Sequence, residues 1–179
     1  SFDKYTLDQF VGRDKLRELK ANISFNLLMQ KDNNKIYMVD GQKEKAKEII
    51  DTYEVDRGSA YDLALLAKMN MLMDNWDNGF KLLNEAFNVD KNEVKVFDVI
   101  TQFAAYDRNG ILTKLSELVD NNPNELGYKM WLAKVYSMLP ETSNIANDII
   151  EELKNEDVGS IPLNVMRSTI YKNMGNEAE

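Results

Sequence analysis

Small and apolar residues recur along this chain with a period of roughly 34 residues. In each set a small or apolar residue is followed by an apolar residue about four positions later and by another about three positions after that. The sets are Ala46, Ile50 and Tyr53; Gly79, Leu83 and Ala86; the weaker Leu112, Leu115 and Leu118; and Ala146, Ile150 and Leu153. A fixed period of this length is typical of stacked helical hairpins, each of which buries its apolar face only against a neighbour.

Apolar spacing and polar interruptions predict where the helices begin and end. In the clearest hairpin, a helix begins after Ser59, Asp62 takes the third helical position of a capping box, and a second helix follows a break at residues 74–78. Later breaks are expected at 107–110, 121–124 and Pro140, and a last helix from Ser160 to about Met174. Nearer the start, residues 13–30 predict another helix and residues 31–34 an irregular connection. No strand is expected.

A family resemblance depends on the residues where the two helices of each hairpin cross. In residues 60–93 these are Leu63, Leu66, Ala67, Gly79, Leu83 and Ala86, and in residues 126–160 they include Leu132, Ala133 and Tyr136. This order of large apolar and small residues resembles the tetratricopeptide repeat. The small residues let two helix axes approach to roughly 8–10 Å.

The resemblance implies an all-α fold, namely a right-handed α-solenoid of antiparallel helical hairpins. A single domain over residues 1–179 would then hold four repeats and the start of a fifth. Their approximate bounds are 22–59, 60–93, 94–125, 126–160 and 161–179. Because the chain begins with Ser1 rather than Met, we expect it to be a piece of a longer protein.

The resemblance also implies a concave groove, lined by the first helix of each hairpin, that binds a peptide or partner protein. By repeat position, the groove residues are Tyr61, Lys68, Met71, Asp98, Gln102, Tyr106, Trp131, Lys134, Met138, Met166 and Thr169. We expect Trp131 to anchor the partner, because it neighbours the predicted core residue Leu132 and should point away from the core; the alternative is packing between repeats. Lys68 and Lys134 recur at one repeat position and favour a partner with acidic groups, although solvated lysines are the commoner outcome.

Composition argues against several kinds of chemistry. The chain has no cysteine and no histidine, which removes disulfides, thiolate ligands, the commonest general base and the commonest transition-metal ligand. A partial calcium-loop pattern over residues 74–85 lacks a required oxygen ligand, because Trp76 occupies that position. No catalytic residue, cofactor or metal site is therefore expected.

Charge and hydropathy narrow the partners. A net charge of -8 repels phosphate backbones, so nucleic acid is not an expected partner. No apolar run approaches about 18 residues, so membrane insertion is not expected either. No leader is recognisable, but one could have been removed, and both cytoplasmic and extracytoplasmic locations stay open.

These observations predict a non-catalytic scaffold or adaptor that binds a peptide or a partner protein. Two alternatives stay open. The array could be a structural spacer or self-association domain, because a last helix without its pair exposes an apolar face that a second copy could cover. It could also be an accessory domain of an assembly or secretion machine whose catalytic part lies elsewhere.

Overall fold

The computed structural model describes residues 18, 29–32, 35–38 and 43–175. Its strands are β1 (Met29–Asp32) and β2 (Lys35–Met38), and its helices are α1 (Lys43–Asp51), α2 (Ala60–Leu72), α3 (Trp76–Val89), α4 (Val94–Tyr106), α5 (Arg108–Asn121), α6 (Leu126–Tyr136), α7 (Ser143–Leu153) and α8 (Ser160–Asn173). A single 3-10 turn, Pro140–Thr142, precedes α7. Every regular element within residues 43–175 is helical, which confirms the predicted all-α class for this part of the chain.

The two strands are a correction to the sequence analysis, which expected none. They pair antiparallel, with Met29 opposite Met38. Met29 and Gln30 therefore lie in β1 and not at the end of a helix; of the rest of the predicted helix over residues 13–30, only Glu18 is described, as helical. Each strand has four residues, too short for an alternating pattern to stand out, and pairing with the neighbouring strand satisfies the backbone instead.

The chain divides between Ala86 and Phe87 into two compact units, here called the first unit (residues 1–86) and the second unit (residues 87–179). In the first unit, α1 contacts α2. Leu65 and Met69 of α2 form a small core, and the side chains packed against it are those of Ile49, Ile50, Tyr53 and Tyr61. The single domain of four repeats inferred from the sequence stays a prediction.

The serine half of the predicted capping box is found at the start of α2. The Ser59 hydroxyl accepts a hydrogen bond from the backbone N–H of Asp62 at 3.2 Å. The Asp62 carboxylate is buried and accepts hydrogen bonds from the Tyr53 hydroxyl and the backbone N–H of Asp56. Asp62 therefore ties the segment that follows α1 to the first turn of α2, which adds a role that the capping pattern alone did not predict.

Helices α2 and α3 approach closely at Gly79. A Cβ atom at this position would overlap the Met71 side chain and lie 3.3 Å from the backbone oxygen of Ala67. Both Ala67 and Met71 are buried. The small residues predicted at the helix crossing are thus found where two helix backbones come together, since any larger side chain would hold them apart.

In the second unit, each helix from α4 to α8 contacts the next, and α4 also contacts α6. Hydrogen bonds between turns recur at about one repeat length. Arg108 Nη2 donates to Thr142 Oγ1 at 2.6 Å across 34 positions, and the Asn173 side-chain amide donates to the backbone oxygen of Ser137 at 2.9 Å across 36 positions. These bonds join corresponding ends of successive hairpins.

Other contacts in the second unit span about two repeat lengths. Lys91 Nζ lies 2.6 Å from Asp157 Oδ2, across 66 positions, and Asn92 Oδ1 accepts from the backbone N–H of Ile161 at 3.0 Å, across 69 positions. In an extended array each repeat contacts only its neighbours. The start of α8 therefore packs on the segment between α3 and α4, and the second unit departs from the nearest-neighbour pattern that the resemblance implies.

Candidate interaction surface

Four of the eleven predicted groove residues are buried, and for them the expected exposure is wrong. They are Lys68, Met71, Trp131 and Met166. Lys68 and Met71 lie on α2, which also has buried residues at Leu63 and Leu65. Because α2 is covered on several sides, its helical phase alone does not distinguish a groove position from a core position.

The predicted exposure of Trp131 differs most from the structure, since its side chain is 0% exposed. Its ring makes edge-on contacts with Tyr128, at 5.3 Å between ring centroids, and with Phe87, at 6.4 Å. The indole Nε1 has no hydrogen-bond partner among the described residues. Trp131 is a core residue of the second unit, packed between elements, which is the alternative that the sequence left open.

Burial also changes the chemistry of the neighbouring phenol. Burial raises the pKa of Tyr128, and the Glu125 carboxylate raises this pKa further. An ionised phenol beside Trp131 would lose its hydration inside an aromatic cluster, so the neutral form is favoured. Tyr128 acts here as a packing residue with a protonated hydroxyl at physiological pH.

The other seven predicted residues retain exposed surface. Asp98 is exposed, and the half-buried ones are Tyr61, Gln102, Tyr106, Lys134, Met138 and Thr169. In the first unit, the Tyr61 hydroxyl donates to Glu18 Oε2 at 2.7 Å. In the second unit, the contact between α4 and α6 brings the helix that carries Asp98 beside the helix that carries Lys134. Their role in binding stays a prediction.

Sequence reasoning missed the most exposed apolar side chains. Among the described residues, Val94 is 54% exposed, and Ile161 and Val165 are each 52% exposed, more than any other large apolar side chain. The helical phase could have indicated two of these exposed residues. Val94 lies one helical turn before Asp98 on α4, and Val165 lies one turn before Thr169 on α8, so they share helix faces with predicted groove residues.

These three valine and isoleucine side chains lie close in sequence to a hydrogen bond between distant segments. Asn92, two residues before Val94, accepts from the backbone N–H of Ile161, so the segment before α4 contacts the first turn of α8 at one end of the second unit. Ile161 and Val165 are four residues apart and face the same side of α8. We call the set of Val94, Asp98, Ile161 and Val165 the α4/α8 surface.

The two adjacent carboxylates near the end of α7 belong to a solvated helix face. Glu151 and Glu152 are both exposed. Lys154 donates to Glu151 Oε2 at 3.0 Å, and this hydrogen bond lowers the pKa of the Glu151 carboxyl. The residues described include no cluster of acidic groups suited to a metal ion, and none of their helices is long and apolar enough to span a bilayer.

Comparison with known proteins gives no match. The chain matches no protein-family model, no curated protein and no solved structure.

Proposed function

We propose that this chain is a non-catalytic protein-interaction module, built from tetratricopeptide-like hairpins, whose second unit binds a segment of a partner protein. The observation that carries the proposal is the α4/α8 surface, where the three most exposed large apolar side chains of the described residues lie at one end of the unit. Single exposed apolar residues are ordinary, but several exposed apolar residues at one end of a unit indicate an interaction site.

The hydrogen bonds at one repeat length support the hairpin part of the proposal. Arg108 with Thr142 and Asn173 with Ser137 join the ends of successive hairpins, as stacked repeats require. The contacts of Asn92 and Lys91 with the start of α8 bring non-adjacent hairpins together as well. They hold two helices in a fixed relation, which lowers the entropy cost of presenting a binding surface.

A structural role through self-association is the second candidate, and it would use the apolar residues of the same surface. A second copy could cover Ile161 and Val165, since an exposed apolar helix face is a common dimer contact. The two candidates differ in whether a different protein or the chain itself occupies the surface.

Cross-linked capture with matched variants tests the proposal. The test variant is Ile161→Ser with Val165→Ser, and the control variant is Leu139→Ser with Ile145→Ser, which changes exposed apolar residues near the other end of α8. Substitutions at such exposed positions should change the free energy of unfolding by less than about 0.5 kcal/mol each. Equal melting temperatures would show that both variants are folded.

We expect the wild type and the control variant to capture the same partner protein from a lysate of the source organism, and the test variant to lose it. If the wild type captures only its own copies, and sedimentation shows a dimer, the structural role replaces the proposed one. If all three proteins capture the same partner equally, the interaction uses another part of the chain and the α4/α8 surface is not the site.

A further inference from the structure

We propose that the α4/α8 surface binds a basic amphipathic segment of a partner protein, one in which apolar side chains are flanked by lysine or arginine. This inference rests on the proposed function and specifies its partner. It replaces the expectation of an acidic partner, because Lys68, one of the two lysines behind that expectation, is only 1% exposed.

The apolar part of the surface consists of two residues on α8 and one at the start of α4. Ile161 and Val165 are one helical turn apart on α8, and Val94 begins α4. The hydrogen bond from the Ile161 backbone to Asn92 holds the start of α8 against the segment that leads into α4. A partner segment that lies across both helices would bury all three side chains against its own apolar face.

The rim of the surface is acidic. Asp98 is exposed one turn after Val94, on the same side of α4. Asp90, Glu156 and Asp157 are exposed in the two segments that lead into α4 and α8, and Glu93 is half-buried at the N-cap of α4. The Asp157 carboxylate is paired with Lys91 Nζ at 2.6 Å, so the net charge of the rim comes from the other carboxylates.

Two ion pairs near the surface add no net charge. Lys91 Nζ lies 2.6 Å from Asp157 Oδ2, and Lys154 Nζ lies 3.0 Å from Glu151 Oε2.

The other basic side chains of the region do not reverse the sign of the rim. Lys95 and Arg167 are half-buried on α4 and α8, and the exposed Lys172 lies in the last turn of α8. Four carboxylates outside the two ion pairs outnumber Lys95 and Arg167, namely those of Asp90, Glu93, Asp98 and Glu156. The end of the second unit that carries the exposed apolar residues therefore presents a net negative rim.

The negative charge of this rim favours some binding partners of the α4/α8 surface over others. A second copy would bring the same acidic rim and a further net charge of -8, so two copies repel at this surface. An acidic peptide is repelled for the same reason. A basic segment gains from charge complementarity, which raises the association rate and excludes wrong partners more than it adds affinity, while the apolar contacts supply most of the affinity.

Selection from a library of random peptides displayed on phage tests the partner chemistry directly. The full chain serves as the target, and each enriched peptide is then screened against the Ile161→Ser, Val165→Ser variant and the Leu139→Ser, Ile145→Ser control. We expect peptides that depend on Ile161 and Val165 to be enriched in large apolar residues together with lysine and arginine. Enrichment in acidic residues, absence of any charge preference, or failure to enrich any peptide that depends on these two residues would overturn the inference.

Reversing the charges of the peptide and of Asp98 then tests whether the acidic rim selects the partner. The most enriched peptide and a copy with glutamate in place of each basic residue are titrated against the wild type and against Asp98→Lys. We expect Asp98→Lys to weaken the basic peptide about threefold to tenfold and to strengthen the acidic copy, with a larger effect at low salt. If Asp98→Lys changes both affinities equally, or neither, the rim does not select the partner.

These outcomes separate the inference from the proposed function. A partner captured from the lysate that binds at the α4/α8 surface through an acidic or uncharged segment would keep the function and overturn the basic partner. A concentration-dependent dimer that disappears in the Ile161→Ser, Val165→Ser variant would assign the surface to a second copy and overturn both.

Discussion

The side-chain oxygen of Asn92 accepts a hydrogen bond from the backbone N–H of Ile161 at 3.0 Å, although 69 positions separate the two residues. The N-cap of α8 is Gly159, which has no side chain to satisfy the first backbone N–H groups of the helix. Asn92 therefore provides from a distant segment the oxygen that a serine or aspartate at the N-cap would ordinarily provide. The start of α8 depends on tertiary packing rather than on a local cap.

Asn92→Ala should therefore destabilise the second unit by about 1 kcal/mol, the usual cost of losing a cap. Asn92→Asp keeps an acceptor and adds a negative charge near a helix N-terminus, so it should be neutral or slightly stabilising. Urea denaturation measures both effects, and hydrogen exchange should quicken at Ile161 in the alanine variant. Asn155→Ala, at an exposed position before α8, is the control and should change little. An equal loss in the control would remove the special role of Asn92.

Gly159→Ala should be far more costly than Gly175→Ala, although both glycines have positive φ angles of 87° and 73°. A Cβ atom at residue 159 would overlap the backbone of Lys91, whereas nothing lies within 4 Å of one at residue 175. We expect a loss of about 1 kcal/mol at Gly175 from backbone strain alone, and about 3 kcal/mol at Gly159. Urea midpoints measure the difference. Equal losses would mean that α8 does not pack on the Lys91 segment.

Trp131→Ala should destabilise the protein by about 3–5 kcal/mol, because it empties a fully buried site. Trp131→Phe should cost less, since it keeps ring contacts with Tyr128 and Phe87 and removes an indole N–H that has no partner among the described residues. Urea denaturation measures both losses. This expectation reverses the one drawn from the sequence, in which Trp131→Ala would weaken partner binding about tenfold or more and leave stability nearly unchanged.

A fluorescence experiment checks the position of Trp131 independently. The chain has two tryptophans, so Trp76→Phe leaves Trp131 as the only tryptophan. Its emission should be shifted to the blue and resist quenching by acrylamide in the folded protein. Quenching as strong as that of an exposed indole would mean that Trp131 lies at the surface.

Stability should fall at alkaline pH partly because of Tyr128. Its folded-state pKa is raised above the ordinary tyrosine value of about 10. The stabilisation that follows from this raised pKa is fully present below pH of about 10. Above pH of about 10 the unfolded chain loses the Tyr128 proton first, so the free energy of unfolding decreases as the pH rises towards the folded-state pKa. Tyr128→Phe should flatten this decline in urea denaturation above pH of about 10, whereas Tyr171→Phe, at an exposed position, should not. The same slope in both variants would contradict the assignment.

The helices could be predicted from the sequence because their signals are local. Ser59 was placed at the start of α2 and Ser160 at the start of α8, and both boundaries are found to within one residue. The break expected at 107–110 is narrower, since only Asp107 separates α4 from α5. Its carboxylate accepts from the backbone N–H of Gly110 at 3.0 Å, so residues 108–110 join the helix instead of a longer turn. The hairpin of β1 and β2 was missed because strands of four residues give too little periodicity.

Exposure was harder to predict than helix position. The phase of α6 correctly separated Trp131 from its neighbour Leu132, but it assigned the two side chains to the wrong environments: Leu132 keeps some exposure and Trp131 keeps none. Residues on several sides of α6 are buried, so no single face of that helix is the core face. Which neighbour covers each side of α6 is set by how α4, α5 and α7 pack on it, and the helical phase contains no information about that packing.

The amino-acid pattern was sufficient to predict the helical class from residue 43 onward, the places where most helices begin and end, and the small residues at the crossing of α2 and α3. Periodicity, caps and proline positions act over a few residues, so they can be recognised in the sequence alone. The burial of Lys68 and Trp131, the capping of α8 by Asn92, and the position of Val94, Ile161 and Val165 at one end of the second unit follow from tertiary packing. The burial of a side chain depends on segments far away in the chain, and in the second unit those segments meet across two repeat lengths.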